Sequence, residues 1–240
     1  DTPERTDQEL ALQVMHGVAL RAVKGFADPS VGEAFARARE LCPHSGQNAR
    51  LVPVLRGLWE YYEVQSDYAK ALPLARQLLS LAESLRDDGV LAVACDVMGD
   101  TSVWMGEFET AWQHLEVGIR LYDPDKFRGH LFLYGYDTGM ACLTYGAVAL
   151  WHLGEPDRAR ANILAANAIA GKLQHPMTRA FAAIMAAWVY RLCGDLAEAE
   201  REGDLAVSVS TELGLPFFLG FGQITRGWAR VGLGKVEEGI

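Results

Sequence analysis

One spacing constrains this chain more than any other feature. A short pattern recurs: a small residue, a charged residue, an apolar residue, two of any kind, then a second small residue. It appears as Ser66, Asp67, Tyr68 with Ala71, and as Gly106, Glu107, Phe108 with Ala111. It returns as Gly154, Glu155, Pro156 with Ala159, and as Gly194, Asp195, Leu196 with Ala199. A fifth copy, Gly234, Lys235, Val236 with Gly239, lies at the end of the chain. The first residues of successive copies are 40, 48, 40 and 40 positions apart. Pro176 and Pro216, each opening a new apolar stretch, keep the same period. Self-similarity on this scale belongs to stacked supersecondary units that bury a shared core.

The pattern reads as a helix–turn–helix corner. Glycine ends a helix because it adopts the left-handed conformation without steric cost. An acidic residue next to it favours the positive end of the following helix dipole. The apolar residue tucks under the turn, and the alanine sits where two helices approach most closely. Gly99 and Gly227 fall seven residues before the turn glycines of their repeats. Mid-helix, each costs about 1 kcal/mol against alanine, which points to close approach of a neighbouring backbone.

Composition agrees with an all-α chain. Half of the residues are apolar, and β-branched runs with a period of two are scarce. A net charge of −9 with scattered basic residues excludes a nucleic-acid surface. No apolar stretch reaches the roughly 18 residues of a membrane span, so no membrane role is expected. Cys42, Cys95, Cys142 and Cys193 lie about one repeat apart without a C-x-x-C spacing, which suggests buried free thiols in a reducing cytoplasm. The six histidines form no i, i+4 pair, and of them His44 alone has a cysteine, Cys42, within four residues, with no second pair to complete a ligand set. Neither a metal site nor a cofactor site is expected, and no catalytic residues: Cys142 and His152 are ten residues apart, about 15 Å along a helix.

The pattern resembles the tetratricopeptide repeat, whose marked positions fall on Gly99, Gly106, Phe108, Ala111 and Pro124, and in the preceding repeat on Trp59, Tyr62, Tyr68 and Ala71. The departure is a period near 40 instead of 34, about three more residues per helix, or roughly 4.5 Å. Long repeats of this kind resemble those of bacterial signalling ATPases, the maltotriose-activator-like proteins and the predicted ATPases linked to adenylate cyclase or kinase domains. Segments similar to the second group are Gln8–Gln13, Ala36–Cys42, Leu133–Asp137 and Arg226–Ala229. The resemblance implies a right-handed superhelical solenoid of antiparallel helix pairs in a cytoplasmic, bacterial signal-transduction protein, with an ATPase domain upstream. No phosphate-binding loop lies within this chain.

Helices are expected near 7–24, 30–42, 48–65, 68–86, 89–105, 108–121, 138–153, 156–173, 177–192, 196–213 and 217–233, with a further one starting at 236. These make five pairs and a truncated sixth in a single solenoid over 1–240. The chain opens without Met and stops one turn into that helix, which points to a fragment of something longer. The 48-residue interval marks an insertion of about eight residues near 123–137, and insertions in solenoids often fall on the binding face.

Counting back from the turn residues places a concave wall on the first helix of each pair. It comprises Arg56, Glu60 and Glu63, then Asp96, Asp100 and Trp104, then Thr144, Trp151 and His152, then Trp188 and Arg191, and finally Trp228. This wall is acidic toward the N-terminus and aromatic toward the C-terminus. Asp96 and Asp100 repel by a few tenths of a kcal/mol, a cost that Arg56 or a cationic ligand group could offset. The plainer alternative is a solvated acidic face with tryptophans filling the core. In the insertion, Arg128, His130, Tyr134, Tyr136 and Asp137 form either a polar and aromatic lip or a structural plug.

The function this favours is a non-enzymatic regulatory module that binds a peptide, a protein or a small ligand in its groove. One alternative is a self-association scaffold forming a homo-oligomer with an idle groove. A remote alternative is an enzyme built on a closed helical toroid.

Overall fold

The computed structural model describes residues 3–42 and 48–240. Among them are thirteen α-helices and no strand. In chain order these are α1 (Pro3–Lys24), α2 (Pro29–Leu41), α3 (Leu51–Glu63), α4 (Tyr68–Leu85), α5 (Asp88–Trp104), α6 (Phe108–Leu121), α7 (His130–Tyr134), α8 (Thr138–His152), α9 (Pro156–Leu173), α10 (Pro176–Cys193), α11 (Leu196–Glu212), α12 (Pro216–Gly232) and α13 (Val236–Gly239). A 3-10 turn, Asn48–Arg50, leads into α3. Except for α7, consecutive helices form a stack of hairpins, and each expected helix is found to within a turn.

The repeated corner is one structure used five times. Ser66, Gly106, Gly154, Gly194 and Gly234 all have left-handed backbone, with φ of 58°, 77°, 82°, 80° and 82°. The following residue donates its N–H to a carbonyl five positions back: Asp67 to Tyr62, Glu107 to Ser102, Glu155 to Leu150, Asp195 to Tyr190 and Lys235 to Arg230, all at 2.8–2.9 Å. This is the six-to-one bond that satisfies an orphan carbonyl at a helix end. Each donor is also the N-cap of the next helix. Ala71, Ala111, Ala159 and Ala199 are fully buried at the contact. Gly227 meets the backbone of Gly239, whose carbonyl oxygen would lie 2.6 Å from an added Cβ. Gly99 has a different cause: a Cβ there would lie 2.2 Å from Leu115 Cγ, so a side chain rather than a backbone requires the glycine.

The two helices of a pair are buried differently. The second helices, such as α9 with Ala159, Ile163, Ala166 and Ala170, bury one stripe. The first helices α5 and α8 are buried almost all round, continuously from Ala92 to Val103 and from Thr138 to Leu150. A helix without a solvent face lies in an interior, so the inner wall is covered and not an open groove. Two contacts provide the cover. Phe26, in the loop after α1, packs on Phe217 and Phe218 of α12 with ring centroids 5.5 and 5.8 Å apart. Tyr134, at the end of α7, inserts into the core of the first three pairs.

The insertion is therefore a short helix where irregular chain was expected. Five residues are too few to show a period, and Gly135 closes the helix in left-handed backbone at φ 84°. Of the cysteines, all free thiols, Cys95 and Cys142 are buried while Cys42 and Cys193 are half-buried, a partial correction to the expectation. No described helix is long and apolar enough to cross a membrane.

Ser66 is the one corner residue with a side chain in left-handed backbone. Ser66→Gly is expected to raise stability by about 1 kcal/mol, read as a higher urea midpoint with an unchanged slope; an unchanged or lower midpoint would contradict the shared-corner geometry.

Candidate functional site

Arg56, Glu60 and Glu63 recur at helical spacing along α3, and Asp96 and Asp100 do so along α5, so each set shares a face. Stacking α3 on α5 then brings the sets together inside the coil. Arg56, 1% exposed, pairs with Glu60 Oε1 at 3.2 Å and with Asp96 Oδ2 at 3.9 Å, and donates to the Tyr136 hydroxyl. Its guanidinium lies over the Trp59 ring at 4.4 Å. Arg21 reaches in from α1 and binds the other Glu60 oxygen. Trp59 is fixed by a bond from its indole N–H to Thr101 Oγ1 at 2.8 Å.

The cluster is unbalanced. Two guanidinium groups, Arg21 and Arg56, face the four carboxyl groups Glu60, Glu63, Asp96 and Asp100. Among the described residues Asp100, 1% exposed, and Glu63 enter no salt bridge, and Asp96 Oδ1, Asp100 Oδ1, Arg56 Nε and Arg56 Nη1 have no hydrogen-bond partner, while Tyr145 bonds the Asp100 carboxyl. Burial pushes the Asp96 carboxyl up to about 7 even with Arg56 beside it. Burial and then the neighbouring Glu60 raise Glu63 to about 7. Burial, Glu63 and Asp96 lift Asp100 well above the usual carboxylate range. Burial alone opposes the charge on Arg56, but Tyr136 and the surrounding carboxylates hold it protonated.

Beside this cluster lies a cavity of about 250 Å³. Glu60, Glu63 and Asp100 form its polar side. The rest is chiefly aromatic: Trp59, Trp104 and Tyr145 from the early helices, Phe181 from α10, and Phe217, Phe218 and Phe221 from α12. Phe26 and Tyr136 complete it from the two covering loops. The rings touch in series, Phe218 to Phe181 at 6.2 Å, and Phe181 to Tyr136 and Tyr145 at 5.0 and 5.9 Å. Ser66, Trp104 and Phe217 are exposed and mark the rim.

The expected wall is thus only partly the observed one. Glu60, Asp100 and Trp104 line the cavity, with Arg56 and Asp96 behind them, and the acids are buried instead of forming a solvated face. Thr144 is buried and bonds the Ala141 carbonyl. Trp188 stacks on Trp104 at 5.2 Å outside the cavity, and Arg191 covers the exposed Trp228 at 5.0 Å. Half-buried Trp151 packs edge-on to the exposed His152, which stacks on Phe108 at 3.9 Å. None of these six lines the cavity.

The insertion residues are mostly packed inward, and His130 and Tyr134 border a second pocket with Phe127 and Leu133. Tyr134 and Tyr136 are buried; Asp137 caps α8 through the Met140 N–H at 2.8 Å and accepts from the Tyr122 hydroxyl at 2.9 Å. His130 stacks on Phe127 and lies 3.0 Å from Thr138 Oγ1. Arg128 is exposed, and only Tyr136 reaches the cavity. The cavity-lining phenylalanines of α10 and α12 were not anticipated, although Phe181 and Phe221 are one period of 40 apart.

No family model matches the sequence, and no curated protein matches it. Solved structures do. A Rap protein complexed with Competence and Sporulation Factor superposes with a TM-score of 0.75 at 14% identity, over 96% of this chain and 61% of that one. The apo form of RapI gives 0.57 at 13% identity, covering 100% and 63% of the two chains. BtubC (BKLC) from P. vanneervenii gives 0.57 at 18% identity, covering 100% and 87%. The chain spans less than two thirds of each of these Rap chains. At such identities the likeness establishes the fold, a tetratricopeptide-like helical repeat.

Two outcomes follow from the cluster. Carboxyls whose folded pKa exceeds the unfolded value contribute stability below about pH 4, and that contribution is lost as pH rises toward 7. Unfolding free energy is expected to fall on the order of 1–3 kcal/mol between pH 5 and 8, and Asp100→Asn is expected to flatten the slope; chemical denaturation across that range reads both, and a rise with pH would contradict them. Arg56→Met, which strands the carboxylates, is expected to cost about 3–5 kcal/mol by the same measurement.

Proposed function

We propose that this chain is a peptide- or protein-binding helical repeat whose ligand inserts a side chain or end group into the aromatic cavity. The observation that carries the reading is the cavity itself. Five inner helices and both covering loops supply its walls, and the buried Asp100 Oδ1 is left without a partner there. Unpaired buried polar groups are costly, and convergence of a few such groups in an apolar pocket is the usual form of a ligand site. Its volume falls below the roughly 300–1,000 Å³ of sites for drug-sized molecules, which suits one inserted group and not a whole small molecule. A Rap protein of the same fold has been solved with Competence and Sporulation Factor, which supports a binding role.

The wider setting rests on the sequence resemblance. In this reading the chain is the non-enzymatic sensing arm of a cytoplasmic bacterial signalling protein with a nucleotide-binding switch upstream. Binding changes how the helix pairs pack, and it biases the switch only if the ligand prefers one of the two packings.

Ile184 lines the cavity from α10. Ile184→Trp fills that space, whereas Leu164→Ala alters an exposed position on α9. In a random heptapeptide display selection, the native chain and Leu164→Ala are expected to enrich the same sequences, and Ile184→Trp to lose at least tenfold in affinity for them. Equal binding by Ile184→Trp would remove the cavity from the account.

A further inference from the structure

We propose that the group taken into this cavity is an organic cation, a guanidinium or primary ammonium carried on an apolar stem. The inference rests on the binding role proposed above and names the chemistry of the ligand. Its first support is charge. The cavity lining holds three carboxyl groups, Glu60, Glu63 and Asp100, and no Lys, Arg or His. Both nearby guanidinium groups are paired with carboxylates, Arg21 with Glu60, and Arg56 with Glu60 and Asp96, although Arg56 Nε and Nη1 make no hydrogen bond among the described residues. Glu63 and Asp100 feel Arg56 only at a distance and enter no salt bridge among the described residues, and the buried Asp100 Oδ1 has no hydrogen-bond partner there.

The second support is the remaining wall. Aromatic rings face the carboxyls from α10 and α12, and Tyr136 and Phe26 close in from the loops. Ring faces attract a desolvated cation, by about 2 kcal/mol or more when water is excluded. An anion would meet both the ring faces and the carboxylates unfavourably. A neutral apolar group would fit the rings but leave Asp100 Oδ1 without a partner, since among the described residues Tyr145 is the one hydrogen-bonding side chain at the Asp100 carboxyl. An inorganic divalent ion is disfavoured too, because among the described residues no three His, Cys, Asp or Glu side chains converge as a metal site. Carboxylate on one side and π-faces on the other suit a cation with an apolar stem.

Without a ligand, the excess of acid is relieved by protonation. The groups that face Asp100 are Arg56, Glu60 and Glu63 from α3, Tyr68 from α4, Asp96 from its own helix, Tyr136 from the covering loop and Tyr145 from α8. Burial raises Glu63 to about 7 and lifts Asp100 well above the usual carboxylate range, so both hold a proton more readily than an exposed carboxyl does. An entering cation replaces those protons, so its binding releases them, whereas a neutral ligand leaves them in place.

The test has two arms on the whole chain. Calorimetric titration with phenethylammonium and with its neutral N-acetyl analogue, in two buffers of different ionisation enthalpy at pH 6.5, is expected to show binding of the cation with proton release. The neutral analogue is expected to bind at least tenfold more weakly. Asp100→Asn and Glu63→Gln, which keep side-chain shape, are each expected to weaken the cation at least tenfold, and circular dichroism verifies their folding. In the second arm, heptapeptides selected by display are expected to carry Lys or Arg next to apolar residues and to lose enrichment on Asp100→Asn. Enrichment of that motif without binding of the small amine would assign the cation to a side chain held by its peptide. Enriched peptides without a cationic side chain that still need the cavity, judged by Ile184→Trp, would overturn the cation and leave the binding role intact. No enrichment over Ile184→Trp in the peptide arm, with no binding of either amine, would overturn both.

Discussion

A buried guanidinium must be surrounded by negative charge, and in this molecule that requirement organises the inside of the coil. Arg56 is held by carboxylates from two helices, by a tyrosine from the insertion and by the face of Trp59. Removing any of these would leave charge in a medium that solvates it poorly. The cluster therefore ties the second pair to the third and draws the insertion inward. Tyr136 is placed by this hydrogen bond, and it becomes part of the cavity wall for the same reason.

The second constraint is closure. A stack of identical hairpins with a small rotation per repeat makes an open superhelix, and its inner helices would show one polar face to water. Here the loop holding Phe26 crosses to α12, and Tyr134 at the end of α7 inserts into the core of the first three pairs. Helices α5 and α8 lose their solvent face as a result. What an open solenoid offers as a long groove becomes, along the inner helices, a cavity with an acidic side and an aromatic side.

The corners were legible from the residues alone because their geometry is local. Left-handed backbone selects glycine, the following donor starts a helix, and the alanine must be small, so the sequence repeats whenever the structure does. The acidic half of the site was legible for a related reason: Glu60 and Asp100 each lie six residues before their turn, and the early pairs keep that register. The aromatic half was not. Trp188 and Trp228 hold the same position ahead of Gly194 and Gly234, yet the cavity is lined by Phe181 and Phe221, seven residues earlier. Along the stack the lining moves from the turn end of α3 and α5, through Tyr145 on α8, to the opening turns of α10 and α12. Superhelical twist carries the cavity diagonally across the inner helices, and a fixed register cannot follow it. The partner of Arg56 was equally hidden, since Tyr136 is 80 residues away and outside the period.

Closure of the coil around its cavity is the claim on which the functional reading depends. Nuclear Overhauser contacts between the ring protons of Phe26 and those of Phe217 and Phe218, in protein labelled at phenylalanine, test it most directly. Centroids 5.5 and 5.8 Å apart should give strong cross-peaks between residues nearly two hundred positions apart in sequence. Their absence in the folded protein, with fast amide exchange along α5 and α8, would show an open solenoid and contradict the enclosed site.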